Sequence, residues 1–214
     1  MKYRFYLLVL CLVCTGCGSL KLDERDKGYS SFPEEVCETK GIEKLYLGAN
    51  PKGWTIYPPL SAASHAGVMN GPQSSNRISH LPNCIEKLSQ LKVLHLSGVG
   101  LETLHPNLFT LSQLKHLDLS FNPKIELNAC VEQFQQLKNL QVLNLMGCKI
   151  DHTYLVILKE QNPRLHVYTN QDFQDAFGDL GDEVGTDFKG YRGIESVGVN
   201  ILIGQYYDLG IAAE

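Results

Sequence analysis

A leucine pattern recurs three times in the middle of the chain at nearly constant spacing. The first copy contains Leu91, Leu94 and Leu96, and the same Leu-x-x-Leu-x-Leu order starts again at Leu114 and at Leu140. The second leucine of each copy follows its predecessor by 23 and then by 26 residues. Because side chains alternate along a strand, each copy places its last two leucines on one face. One copy cannot bury that face alone, so the pattern predicts a stack of similar units.

Two weaker copies extend the stack at both ends. Upstream, Ile42, Leu45 and Leu47 have the same spacing and are followed by Asn50, and a worn copy lies downstream at residues 165–167. From Leu45 to Leu94 the chain has 49 residues, which leaves room for one more repeat. Its strand is expected at residues 71–75, where the sequence is polar. Residues 58–82 are therefore predicted to be a degenerate repeat or an inserted loop.

These motifs resemble the leucine-rich-repeat family. The resemblance implies an α/β solenoid over residues 37–168: a short horseshoe of about five repeats, with parallel strands on the concave face and an irregular or helical convex side. In that family a conserved Asn position closes the turn after each strand, and Cys148 occupies that position in the third copy. The family often places a buried, reduced cysteine there.

The residues that flank the inward leucines are expected to line the concave face in three columns. Neighbouring strands are about 4.8 Å apart, so members of one column are close neighbours. Aromatic, Met and Arg side chains are enriched at protein interfaces. We therefore predict a partner-binding face formed by Lys44, Tyr46, His95, His116, Asp118, Asn144, Met146, Arg164, His166 and Tyr168.

Three functions are compatible with this face. The favoured one is non-catalytic binding of a protein partner, with a glycan as the alternative ligand and with no cofactor or metal. The second is a metal-dependent enzyme, because His95, His116 and Asp118 would cluster and could perform acid–base work. The third is a structural spacer of the envelope. For the enzyme, no nucleophile or enclosing pocket is evident. Some bacterial leucine-rich-repeat proteins carry a ubiquitin-ligase domain that needs a nucleophilic cysteine beside the repeats. No cysteine follows Cys148, which excludes that type for this chain.

The N-terminus predicts export. Lys2 and Arg4 precede an apolar run over residues 5–13, which is too short for a span of about 20 residues and is typical of a signal peptide. Residues 14–17 resemble a bacterial lipobox, although Cys14 stands where that family usually has Leu. The resemblance implies a signal peptide over residues 1–16, lipidation of Cys17 and attachment to a membrane. Residues 17–36 are expected to form a polar tether.

The last segment of the chain, residues 169–214, differs in composition from the rest. It carries two cations, Lys189 and Arg192, and nine acids, so its net charge is −7, whereas the whole chain carries −4 and residues 1–168 carry +3. The chain therefore has no sequence-wide basic character that would favour nucleic acid. Alternating apolar residues over 197–203 predict a strand or hairpin that caps the repeats. The nine acids are Asp172, Asp175, Asp179, Asp182, Glu183, Asp187, Glu195, Asp208 and Glu214.

Four cysteines remain after removal of the signal peptide and lipidation of Cys17. Cys37, Cys84, Cys130 and Cys148 allow three ways of forming two disulfides, and the sequence does not choose among them. No Cys-x-x-Cys motif remains to suggest zinc. The sequence as a whole predicts a lipid-anchored protein of a bacterial cell envelope, most simply at the outer membrane and facing the periplasm or the surface; the alternative is a secreted protein. The oligomeric state is not predicted.

Overall fold

Six short parallel strands form one open sheet, in which each strand pairs with its neighbour in the chain. The computed structural model describes residues 19–49 and 74–169. The predicted signal peptide, Cys17 and the cap at residues 170–214 lie outside the described residues. The strands are β1 (Leu20–Asp23), β2 (Ile42–Tyr46), β3 (Val93–His95), β4 (His116–Asp118), β5 (Val142–Asn144) and β6 (His166–Tyr168).

Short helices carry the chain back from one strand to the next. Where the repeat is 23 residues long, the return is a five-residue 3-10 helix; the 26-residue repeat holds a nine-residue one. The last return is the α-helix α1, whose ten residues are His152–Gln161. The 3-10 helices in the described residues are Glu34–Glu38, Asn83–Lys87, Pro106–Thr110 and Asn128–Gln136. The fold is therefore a short leucine-rich-repeat solenoid, as the family resemblance implied.

The core lies between the sheet and these helices. The inward leucines of β2 to β5 are fully buried and form one cluster with the apolar residues of the convex side, and Leu22 of β1 is partly buried against it. Phe109 and Phe134 from adjacent helices meet edge to face, with ring centroids 5.2 Å apart. Repeats stacked in this way bury a continuous core that no single repeat could form.

The first strand corrects the prediction of a tether over residues 17–36. Leu22 pairs in register with Leu45, exactly one 23-residue repeat later, and Phe32 and Val36 are buried. From Leu20 onward this segment is therefore the first repeat of the sheet. The prediction failed because charged residues surround Leu20 and Leu22, and they hide the apolar alternation.

The Asn position of the second repeat is filled by Asn76, not by Asn50. The Asn76 amide nitrogen donates to the carbonyl oxygens of Leu47 and Glu24 at 2.8 and 2.9 Å, and its amide oxygen accepts from the backbone of Tyr29. Asn122 makes the same set of bonds two repeats later. Its amide nitrogen donates to Leu96 and Leu119, and its oxygen accepts from Gly100 and Leu101.

Residues 50–75 are consequently an insertion inside one repeat. Strand β2 pairs directly with β3, so the sheet holds no further strand between them. Ser74 and Ser75, the described part of the region predicted to hold that strand, are not in a strand. Removing these 26 residues from the 49 between Leu45 and Leu94 leaves 23, the length of the neighbouring repeats.

Candidate functional site: the concave face

The concave face carries the side chains that alternate with the inward leucines. Along its second column, Asp23, Tyr46, His95, Asp118, Asn144 and Tyr168 are successive register partners. The first column is formed by Lys21, Lys44, Val93, His116, Val142 and His166. For these two of the three predicted columns, the structure thus brings the central members together. It also adds Lys21 and Asp23 from β1.

The last strand is shifted by two residues relative to the prediction. Val167, and not Leu165, pairs with Leu143 in the inward row, so His166 falls in the first column and Tyr168 in the second. Arg164 precedes the strand and is exposed. Helix α1 and the turn after it lengthen this repeat to 24 residues, measured from Leu143 to Val167, whereas the prediction assumed 22.

Much of this face is buried. Within the described residues, every helix lies on the opposite side of the sheet, yet His95 and Asp118 are each only 3% exposed. Tyr46, His116, Asn144, Met146 and Tyr168 are also buried. Of the ten predicted binding residues, Lys44 is half-buried, and only Arg164 and His166 are exposed.

A hydrogen-bonded network occupies the centre of the face. The Asp118 carboxylate contacts His95 Nε2 through Oδ2 at 3.2 Å, and its Oδ1 accepts from the Ser120 backbone and hydroxyl at 2.9 and 2.6 Å. The Ser120 and Ser97 hydroxyls lie 2.9 Å apart. The Asn144 side chain accepts from the Met146 backbone in the same way. Buried polar groups need such partners, and a network with these bonds fixes the side chains in one arrangement.

The order of the groups in this network does not match nucleophilic catalysis. In a catalytic triad the imidazole lies between the carboxylate and the hydroxyl, where it can take the hydroxyl proton. Here the Asp118 carboxylate lies between His95 and Ser120, so the imidazole does not contact the serine through this network. In the part of the chain that the structure describes, no three His, Cys, Asp or Glu side chains are placed to hold a metal ion. The predicted His95, His116 and Asp118 cluster is therefore a contact between His95 and Asp118, with His116 in the neighbouring column.

His116 lies in a positive environment. Burial is the main cause that lowers the pKa of its imidazole, and the charges of Lys115 and Lys44 lower it further. Desolvation and nearby cations both disfavour the protonated ring. The neutral form of His116 is therefore favoured in the folded protein.

Cations also surround the ring of Tyr46. Lys21 Nζ lies 4.7 Å from the ring centroid and the Arg25 guanidinium 5.4 Å from it, while the His95 ring packs at 5.9 Å. Such cation–π contacts contribute on the order of 0.5–1 kcal/mol each at partly exposed sites. Lys21, Lys92 and Lys115 near this face were not predicted from the sequence. The sequence feature that could have identified them is their position, since each lysine lies at or just before the start of a strand.

The repeats match a known family. The family model described as leucine rich repeat matches residues 89–150. Residues 89–150 therefore resemble known leucine-rich repeats in sequence. The match covers the three copies that carry the strongest spacing, and the sheet shows that the same leucine-rich-repeat geometry extends to β1 and β6 beyond it.

Two known proteins are similar to parts of this chain. The "Protein flightless-1 homolog" of Caenorhabditis elegans is 30% identical over 125 residues, which are 56% of this chain and 9% of the relative. A solved leucine-rich-repeat protein of Leptospira interrogans is 23% identical, with a TM-score of 0.47, and the alignment covers 64% of this chain and 28% of that one. This chain thus spans a small part of the relative's length.

The structure pairs two of the four cysteines. Cys37 and Cys84 form a disulfide that joins the convex helices of two neighbouring repeats. Cys130 and Cys148 are free and buried. Burial raises the pKa of their thiols, to about 11 for Cys130 and about 12 for Cys148. Cys148 donates to the Leu119 carbonyl oxygen at 3.0 Å, so it takes the place of the turn Asn.

None of the described helices is both long and apolar enough to cross a membrane.

Proposed function

We propose that this protein is a non-catalytic binding module of a bacterial cell envelope, exported and anchored by a lipid on Cys17, and that its leucine-rich-repeat sheet binds a protein partner. The observation that carries the proposal is the six-stranded sheet itself. Its concave side carries a row of polar and aromatic side chains held in place by the bonds around Asp118, and this row is bordered by the accessible side chains of Lys21, Lys44, Arg164 and His166. Extended concave surfaces of this kind are what solenoids use for binding.

The disulfide supports an exported location. Disulfides persist in oxidising compartments such as the periplasm or the cell surface, and they are rare in the cytosol. Cys37 and Cys84 belong to different repeats, 47 residues apart, so their bond is part of the tertiary structure. The apolar N-terminal run and the lipobox-like residues before Cys17 point to the same compartment.

The geometry of β1 changes the expected arrangement at the membrane. Strand β1 begins at Leu20, three residues after Cys17, and not after a long tether. Three residues span at most about 10 Å. A lipid on Cys17 would therefore hold the edge of the sheet close to the headgroups. Leu20 is 44% exposed at that edge, which suits a position near a lipid surface.

Fractionation of producing cells tests the anchor. We expect the wild-type protein in the membrane fraction and Cys17→Ala in the soluble fraction, whereas the matched control Cys14→Ala stays with the membrane. Mass spectrometry of the mature N-terminus should find acyl chains on Cys17. Membrane recovery of Cys17→Ala equal to that of the wild type would refute lipid anchoring.

Crosslinking and capture from producing cells test the binding function. Lys44→Glu and Arg164→Glu change accessible positions at the concave side, and Lys159→Glu and Tyr154→Ala change exposed positions on the convex helix α1. We expect the wild type and both convex variants to capture one specific protein, and the two concave variants to lose it. Equal capture by all five proteins would favour the structural spacer.

A further inference from the structure

Five cations line one border of the concave face, where the strands begin. The Lys92 amide donates to the Glu43 carbonyl oxygen at 2.7 Å, and the Lys115 amide donates to the Lys92 carbonyl oxygen at 2.9 Å, so these residues follow one another across β2, β3 and β4. Lys21 and Lys44 are register partners in the adjacent row. Arg164 lies just before β6. We call these five residues the basic strip: Lys21, Lys44, Lys92, Lys115 and Arg164.

The strip is accessible, and its five cations outnumber the described carboxylates beside it. Lys21, Lys115 and Arg164 are exposed, and Lys44 and Lys92 are partly exposed. Two described carboxylates lie beside it: Glu43 pairs with Lys92 at 2.9 Å and also interacts with the charge of Lys44, and Asp23 interacts with the charge of Lys21. The field of the strip is also felt by its neighbour: the charges of Lys115 and Lys44 contribute to the lowered pKa of His116.

An acidic ligand for such a surface exists in the same chain. The segment 170–214 carries nine acids and two cations, a net charge of −7, and it follows directly after Thr169 at the end of the last repeat. Opposite charges on the two elements attract over a range set by the Debye length, about 8 Å at physiological salt.

The length of this segment suits the strip. Five gaps between strands, at about 4.8 Å each, make the strip about 24 Å long. A flexible chain of 45 residues has a root-mean-square length of about 35–40 Å. A tethered segment of that length reaches its site at an effective concentration of roughly millimolar, higher than most free ligands achieve.

We propose that the basic strip binds the acidic C-terminal segment 170–214 of the same chain. The segment then acts as an intramolecular ligand beside the concave face, and an external partner must compete with it. A partner that uses the strip would itself be an acidic protein segment. The intramolecular contact depends neither on lipidation nor on an external partner.

Cleavage of the full chain by trypsin tests this contact without labels. The acidic segment contains two cleavage sites, after Lys189 and after Arg192, and the released fragments can be followed by mass spectrometry. A synthetic peptide of residues 170–214 provides the rate for the unbound segment at each salt concentration. In about 20 mM NaCl we expect the full chain to be cut at least roughly fivefold more slowly than the peptide, and in about 0.5 M NaCl the difference should largely vanish because salt screens the charges.

Charge variants assign the effect to the strip. Lys44→Gln combined with Lys115→Gln should raise low-salt cleavage toward the peptide rate. Lys124→Gln combined with Lys159→Gln removes the same charge elsewhere and should leave the rate unchanged. Thermal melting checks that both variants are folded.

Two outcomes would overturn the proposal. Cleavage of the wild type at the peptide rate in low salt would show that the segment is not bound. Slow cleavage that neither salt nor the Lys44 and Lys115 substitutions change would show that the segment is held elsewhere, for example as the predicted cap of the repeats.

Discussion

The Asn76 side chain donates a 2.8 Å hydrogen bond to the Leu47 carbonyl oxygen, across 29 positions of sequence. Asn122 bonds the corresponding carbonyl of its own repeat, Leu119, only three residues away. The insertion of residues 50–75 thus separates a repeat from its closing residue, and the fold restores the contact. Asn76 is fully buried and satisfies groups of three segments, so it holds both ends of the insertion to the first repeat.

Replacing Asn76 by Ala should destabilise the protein strongly. The substitution leaves the buried carbonyl of Leu47 and the amide of Tyr29 without this partner, and unsatisfied buried groups cost on the order of 1–3 kcal/mol each. We expect a loss of about 2–4 kcal/mol in the free energy of unfolding, measured by urea denaturation. Asn122→Ala should behave alike, whereas Asn50→Ala should cost little. A larger loss of unfolding free energy for Asn50→Ala than for Asn76→Ala would contradict the assignment of Asn76 as the closing residue of the second repeat.

Gly48 is predicted to tolerate no side chain. A Cβ at this position would stand 2.6 Å from Nδ1 of His95 and still closer to the backbone nitrogen of Ser97. Backbone cannot move aside as a flexible side chain does, and overpacking typically costs about 1–3 kcal/mol. Gly48→Ala should therefore lower the melting temperature, and His95→Ala in the same chain should not restore it. If His95→Ala fully restored the melting temperature, the His95 ring alone, and not the Ser97 backbone, would exclude a side chain at position 48.

The central strands and the outward columns could be predicted from sequence because the repeat itself encodes them. The closing residue of the second repeat could not, since Asn50 completes the sequence pattern after Leu47 and the hydrogen bonds of Asn76 show that Asn76 takes the position. The register of β6 depended on the return path through α1, which leucine spacing does not measure. The partner of Cys37 depended on which helices stack, and the strip containing Lys92 and Lys115 appears only when separate repeats are placed side by side.

Removing the Cys37–Cys84 disulfide should reduce stability. The bond closes a loop of 47 residues, and the loss of chain entropy in the unfolded state corresponds to about 4 kcal/mol in the loop-closure model. Cys37→Ser combined with Cys84→Ser should lower the urea midpoint, and dithiothreitol should lower that of the wild type but not that of the double variant. Cys130→Ser is the control for reductant sensitivity. Because Cys130 is free, this variant keeps the disulfide, and dithiothreitol should still lower its urea midpoint.

His116 should make stability depend on pH. Its folded pKa lies below the ordinary value of 6.5, so the unfolded chain binds the proton more readily. The stability linked to the neutral ring is complete above the unfolded pKa and is lost as the pH falls from there toward the lower folded pKa. Between pH 7.5 and pH 5, the wild type should therefore lose more unfolding free energy than His116→Gln, as followed by urea denaturation at each pH. His152→Gln, at an exposed position of α1, should keep the wild-type slope. Parallel pH profiles for the wild type and His116→Gln would mean that the ring is not held neutral by burial and by the charges of Lys115 and Lys44.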